Sequence, residues 1–240
     1  MCTRPITINR NVAGRVVTRT VPCGKCAECR SMNQSSFAAL TLMEAEQCSS
    51  LCFATLTYRD VELPWKLISE ESSALIRGIP YELDSYGAIG LTDSNIQGAW
   101  ATYAPTLYRE DLKLHLKRFR KHLGERSKVF RYGFFGEYGS RRNRPHYHGL
   151  LFNLTPEEID LFRSFWEGYY GSAKLISVPR LNPDGSDAYL KVSKYISKYI
   201  SKGSKLPDFV KDGYAERPRK MLSRGYGLQN IDVEKLRNFI

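Results

Sequence analysis

Long apolar runs are missing from this chain. No stretch approaches the ~20 consecutive apolar residues that a bilayer crossing needs, and the opening MCTRPITINRN has no apolar centre of the kind a secretion signal carries. A cytoplasmic location without a membrane partner is therefore expected. Acidic residues are in short supply, with 25 Asp and Glu against 36 Lys and Arg, giving a net charge of +11. That imbalance favours a nucleic-acid partner over an acidic small molecule, although a solvated basic surface accounts for part of it. Six cysteines in a large chain without a secretion signal argue against a disulfide framework. Histidine is scarcest of all, with four copies in 240 residues.

Two of those four histidines stand together in FFGEYGSRRNRPHYHGLLFN, residues 134–153. The segment reads as a strand ending at Glu137, a basic turn, and a second strand opening with His146 and His148. Strand residues two apart point to one face, so both imidazoles project together while Tyr147 turns to the other side. Two imidazoles and the Glu137 carboxylate from the neighbouring strand make a facial metal site with open positions. Arg141, Arg142 and Arg144, with Arg131 upstream, suggest that a polyanion meets that site.

The spacing Cys23-x-x-Cys26-x-x-Cys29 offers a second set of donors. These thiolates either share a structural zinc, with Cys2, Cys48 or Cys52 as fourth ligand, or are reduced thiols at a helix start. The absence of a second C-x-x-C pair leaves both readings open.

Along the chain, Val16, Val17 and Val21 predict a short edge strand or hairpin, and Ala27–Gln47 a helix. Leu51–Tyr58 (LCFATLTY) is β-branched and aromatic and predicts a strand. Residues 61–106 lack a sustained period and read as an insertion of loops and short elements, either a lid or specificity element or a merely tolerated one. Arg109–Leu123 is an amphipathic helix with the stripe Leu112, Leu116, Phe119, Leu123, and His115 and His122 are placed at its surface or boundary. After strands at 129–136 and 146–154, Thr155-Pro156-Glu157-Glu158 carries a capping Thr, a Pro at the first helical position and a Glu three after the cap. Ile159, Phe162, Trp166 and Tyr169 follow as a core stripe, then a strand at 174–178. Asp187–Lys202 (DAYLKVSKYISKYISK) is a helix buried through Val192, Ile196 and Ile200. Tyr195 and Tyr199, four apart, differ by only ~40° around that helix and form one ridge. Lys194, Lys198 and Lys202 border it. The tail from 204 is basic, an ordered strap over a phosphate backbone or a disordered segment. The order of elements predicts an α+β fold with a partly antiparallel sheet under helices.

A tyrosine hydroxyl is a weak nucleophile at its free pKa of ~10. A metal bound at the scissile phosphate overcomes that weakness, whereas a water-using nuclease would not need the tyrosines. The segments PCGKCAECR, FATLTY, GEYGSRRNRPHYHGLLF and YISKYISK, in this order over residues 21–230, resemble the rolling-circle replication initiators of small single-stranded DNA phages. Those are the microviruses, especially their gokushovirus branch, within the HUH endonuclease superfamily (His, a hydrophobic residue, His).

The resemblance implies one HUH endonuclease domain over 1–240, with a Cys-containing extension at 1–50, the insertion at 61–106 and a basic tail at 204–240. Its centre would be an antiparallel sheet of about five strands of the ferredoxin or RNA-recognition-motif kind. His146, His148 and Glu137 would ligate magnesium or manganese, Tyr195 and Tyr199 would be the nucleophiles, and Lys198 would assist between them. Thr55, Thr57, Arg141, Arg142, Arg144, Lys194 and Lys202 would contact DNA. The implied reaction nicks single-stranded DNA at a replication origin through a 5′-phosphotyrosine and later rejoins it, with host polymerase and helicase as partners. Tyr147 departs from the family in being bulkier than the usual aliphatic residue. Two rivals stand beside this reading: a relaxase, transposase or plasmid initiator of the same superfamily, and a noncatalytic nucleic-acid-binding protein with structural zinc.

Overall fold

The computed structural model describes residues 2–68, 75–77, 102–201 and 206–228. An exposed hairpin of Ile6–Val12 (β1) and Arg15–Val21 (β2) comes first, followed by the helix Ala27–Glu46 (α1) and the strand Leu51–Tyr58 (β3). The described parts of the insertion form a small sheet from Pro64–Ile68 (β4), Leu75–Arg77 (β5) and Thr102–Pro105 (β6), ordered β5-β4-β6. The helix Arg109–Leu123 (α2) leads to the strands Arg131–Tyr138 (β7) and Pro145–Phe152 (β8). Next come Pro156–Tyr169 (α3), Gly171–Ser177 (β9) and Ala188–Ser201 (α4). A short helix Asp208–Lys211 (α5) and the strand Lys220–Leu222 (β10) complete the described chain.

The expected α+β architecture is present. Its centre is a five-stranded sheet ordered β10-β7-β8-β3-β9, with every neighbouring pair antiparallel. Alternation along the strands sends two sets of side chains to opposite faces. On one face Ala54, Leu56 and Tyr58 of β3, Phe134 of β7 and Tyr147 and Leu151 of β8 pack under α2 and α3, against Leu112, Leu116, Phe119, Phe162 and Trp166. Tyr147 is thus buried in a core, and its bulk is absorbed there. On the other face Phe135, Leu150 and Phe152 meet Phe37 of α1 and Ile196 and Tyr199 of α4. Gly149 in the middle of β8 makes room for the Phe134 ring opposite, because a Cβ there would lie 2.3 Å from ring carbons.

The cap read at the start of α3 is complete: Glu158 N–H donates to the Thr155 hydroxyl (3.3 Å), and Thr155 N–H donates to the Glu158 carboxylate (2.9 Å). Three expectations are corrected. Tyr169 does not belong to the buried stripe of α3; it is exposed beneath the Arg118 guanidinium, and Tyr170 is buried in its place. His115 is not at the surface but fully buried (0% exposed), edge-on to Phe162 and Trp166. Arg131 does not join the arginines of the β7–β8 turn. It lies six strand positions from Glu137, about 20 Å along β7, and forms an ion pair with Glu44 of α1.

That pair explains why the described tail is ordered. The Glu44 side chain is wholly buried (0% exposed) and accepts from the Arg131 guanidinium and from Gly227 N–H (2.6 Å), while Arg131 also donates to the carbonyls of Arg224 (2.8 Å) and Gly225 (3.2 Å). Gly227 needs its positive φ of 75°, and a Cβ there would meet the Leu40 carbonyl. One carboxylate therefore ties α1, β7 and the residues after β10. Glu44→Ala is expected to remove about 3–5 kcal/mol of stability by leaving a largely buried guanidinium unpaired. Urea unfolding followed by circular dichroism measures it, and a loss below about 1 kcal/mol would contradict the assignment.

Burial, with a smaller contribution from Arg118, holds the His115 imidazole down at about 3. Neither ring nitrogen has a hydrogen-bond partner among the described residues. The unfolded chain binds this proton below its ordinary value near 6.5 while the folded chain refuses it until about 3, so His115 destabilises the fold as pH drops through that window. His115→Leu is expected to gain on the wild type by about 1.4 kcal/mol per pH unit across it. Parallel urea titrations at several pH values give the slope; a constant difference would show that His115 does not titrate there.

Candidate active site

Glu137 stands opposite His146 in the β7–β8 ladder, and Phe135 stands opposite His148. The turn between the strands closes through Gly139 N–H donating to the Arg144 carbonyl (3.0 Å), with Asn143 in the left-handed region at φ 49°. This register brings the three donors together. His146 Nε2 and His148 Nε2 lie 3.3 and 3.1 Å from Glu137 Oε2, and 3.1 Å from each other. All three side chains are partly exposed. The donor set, two imidazoles and one carboxylate on one side of a centre open to solvent, suits a divalent ion with free coordination positions.

The far ring nitrogens set the orientation. His146 Nδ1 lies 3.1 Å from the Arg144 carbonyl, which only accepts, so Nδ1 carries the proton and Nε2 presents its lone pair to the centre. His148 Nδ1 lies 3.1 Å from Thr55 Oγ1, across the β3–β8 ladder where Thr55 pairs with His148. With Nδ1 donating to that hydroxyl, His148 also presents Nε2.

The helix α4 packs along α1 and touches β7, which lays its tyrosine ridge over the same face of the sheet. The Tyr199 ring stacks on His148, with centroids 4.5 Å apart and planes at 27°. Tyr195 meets Phe53 edge-on at 5.6 Å. Tyr199 Oη donates to Tyr195 Oη at 2.8 Å. The two differ in environment: Tyr199 is 9% exposed and Tyr195 46%. Burial first, then the Tyr195 hydroxyl and the Glu137 charge, raise the Tyr199 phenol well above its ordinary value. Of the stripe read for α4, Ile196 is fully buried and Val192 half-buried.

Lys194 and Lys198 are exposed on α4 beside the tyrosines, and Arg141 and Arg142 are exposed in the β7–β8 turn. Arg144 pairs with Asp60 and donates to the Tyr58 carbonyl, which fastens the turn to β3. Thr57 faces the site beside His146 and donates to the Ser172 carbonyl (3.3 Å). Lys202 and Gly203 lie outside the described residues. Cys23, Cys26 and Cys29 converge with Cys2, while Cys52 is buried in β3 and Cys48 is half-buried after α1.

Sequence reasoning did not single out the groove next to Tyr199. A cleft of about 520 Å³ is lined by Arg109, Phe135, Gly136, Tyr199, Pro218, Arg219 and Lys220. Three cations from α2 and the tail thereby meet beside a buried tyrosine. The run Arg217-Pro218-Arg219-Lys220 was the signal, and it reads as a strap from sequence but as the edge of a cleft in three dimensions.

Similarity to known proteins falls on this same part of the chain. Residues 101–204 match the model of a family described as replication-associated protein ORF2. The matched region carries Glu137, His146, His148, Tyr195 and Tyr199. The chain is 26% identical over 228 residues to the replication-associated protein ORF2 of Spiroplasma virus 4, covering 92% of this chain and 60% of that protein. It is 25% identical over 173 residues to the replication-associated protein VP4 of Bdellovibrio phage phiMH2K, covering 65% of this chain and 42% of that protein. The chain thus spans roughly half the length of these curated relatives. No solved structure matches it. The resemblance to phage replication proteins expected from the sequence is borne out. No helix among the described residues is long and apolar enough to cross a membrane.

Because Thr55 fixes the His148 ring, Thr55→Val is expected to weaken Mn²⁺ binding by about 10–100-fold with the fold intact. Titration of Mn²⁺ followed by electron paramagnetic resonance reads the affinity, and an unchanged value would remove Thr55 from the support of His148.

Proposed function

We propose that this chain is a replication initiator that nicks and rejoins single-stranded DNA at an origin through a tyrosyl–phosphate linkage. The observation that carries this reading is the stacking of Tyr199 on His148, with the Tyr195 hydroxyl within hydrogen-bond distance of the Tyr199 hydroxyl. A nuclease that activates water has no use for two phenols over a His-x-His strand.

Glu137, His146 and His148 are the residues that hold magnesium or manganese. Such an ion supplies Lewis-acid polarisation of a non-bridging phosphate oxygen and neutralises charge developing there. Chain-wide positive charge gathers the strand, and the groove lined by Arg109, Arg219 and Lys220 leads its backbone past Tyr199. Arg141 and Arg142 on the turn, with Lys194 and Lys198 on α4, border the same face. Tyrosine oxygen bonds to phosphorus while the bond to the 3′ oxygen breaks. The 5′ side stays esterified to the tyrosine, and the phenolic proton is delivered to the departing 3′ oxygen. The raised pKa of Tyr199 keeps its hydroxyl protonated at neutral pH, so the proton leaves during attack and not before it. Tyr195, in hydrogen-bond contact, is the immediate acceptor for that proton and the second nucleophile for the joining step. The freed 3′ hydroxyl primes a host polymerase, with a host helicase opening the duplex.

The test is cleavage of labelled single-stranded origin DNA with Mn²⁺ or Mg²⁺, read on a denaturing protein gel. A slower protein–DNA band is expected, lost with EDTA, in His146→Ala and in the Tyr195→Phe/Tyr199→Phe double variant. His146→Ala should lower the rate by at least about 100-fold. Cleavage without a covalent band would replace the proposal by a water-using nuclease. Tight binding without cleavage, unchanged in the double variant, would replace it by a noncatalytic binding protein.

A further inference from the structure

Outside the triad lies a second cluster of metal-ligating side chains that nicking leaves without a task. The Sγ atoms of Cys2, Cys23, Cys26 and Cys29 all lie within 4.8 Å of one another. Cys26 and Cys2 are 3.8 Å apart, and Cys23 and Cys29 4.0 Å. Four sulfurs bound at ~2.3 Å around a tetrahedral zinc stand ~3.8 Å from each other. The spacing is that of ligands around a shared centre. We propose that these four cysteines hold one structural zinc ion, and that the ion clamps the β1–β2 hairpin to the start of α1.

The local backbone is built for thiolates. Residues 23–26 form a turn through Gly24, whose φ of +72° suits glycine and few others. Backbone N–H groups point at sulfur: Cys23 N–H at Cys2 Sγ (3.3 Å), and Lys25 and Cys26 N–H at Cys23 Sγ (both 3.4 Å). Cys26 occupies the N-cap of α1, where no side-chain oxygen caps the helix, and Cys29 is buried in its first turn. The positive end of the helix dipole therefore faces the sulfurs. Four protein ligands leave no open position, which marks a structural site, in contrast to the three-ligand triad. Soft thiolates and the mixed imidazole–carboxylate set also select different ions.

The hairpin shows why a clamp is needed. Among the described residues β1 and β2 pair only with each other, and most of their side chains are exposed. An isolated two-stranded ribbon is at best marginally stable in water. Cys2 precedes β1 and Cys23 follows β2, so the ion joins both open ends of the ribbon and fastens them to the helix that packs on α4. Of the three candidates for the fourth ligand, Cys2 is the one the fold delivers.

Metal analysis of the full chain after gel filtration in EDTA tests this without reference to DNA cleavage. One tightly held zinc per chain is expected, retained in Cys48→Ser and in His146→Ala and lost in Cys2→Ser. Cobalt replacement in the wild-type chain should give thiolate-to-metal charge transfer and the visible bands of a tetrahedral site, which decides the matter even if Cys2→Ser fails to fold. No zinc and no such spectrum would overturn the proposal, as would zinc lost in His146→Ala and kept in Cys2→Ser. For the clamp, trypsin should cut at Arg10, Arg15 and Arg19 faster once the metal is removed by a thiol-reactive mercurial. Equal protection with and without metal would overturn that part.

Discussion

The antiparallel pairing of β7 with β8 is the constraint on which the candidate site depends. Side chains on a strand alternate with period two, so register decides which of them share a face. Glu137 opposite His146 puts a carboxylate and two imidazoles on the side facing α4 and sends Tyr147 to the core below. A slip of one residue would bury His146 and His148 among phenylalanines and expose Tyr147. The pairing is held against such a slip from both faces, by Phe134 seated over Gly149 on one side and by Phe135 and Leu150 packed under α1 and α4 on the other. The chemistry of one face thus rests on the packing of the opposite one.

Elements whose signals are local were legible in the sequence. The LCFATLTY strand, the Arg109–Leu123 helix and the Thr155–Glu158 cap each declare themselves within a few residues, and the structure has all three. The His-x-His strand and the tyrosine ridge were legible for the same reason, since both are statements about periods of 2 and 3.6 residues. Relations between distant residues were not legible. His115 sits among lysines and arginines in sequence, and only the arrival of Phe162 and Trp166 makes its position interior. Arg131 reads as one more cation near a basic turn until Glu44, 87 residues earlier, claims it. β10 is three residues long, too short for any period, and its pairing with β7 is a tertiary event.

Charge in this chain is divided between two tasks. Some cations are consumed internally: Arg131 by Glu44, Arg144 by Asp60, Arg77 by the buried Asp111. Removing these from the count leaves a surface excess concentrated on the turn, on α4 and along the tail, and all three border the face that carries the triad. Net charge alone says that a polyanion is welcome. The distribution of the exposed cations says where it would lie.

The place of β10 in the chain has a consequence for how the sheet is completed. Residues 220–222 form an edge strand of the five-stranded sheet, yet they follow every other strand of it in sequence. Until they leave the ribosome, the outer edge of β7 carries unpaired backbone donors and acceptors, the state in which strands recruit foreign partners. The cleft beside Tyr199 lacks its wall of Arg219 and Lys220 over the same interval. Synthesis order thereby makes the protein's own late segment the competitor for that edge, and the surface proposed to take DNA is the last one finished.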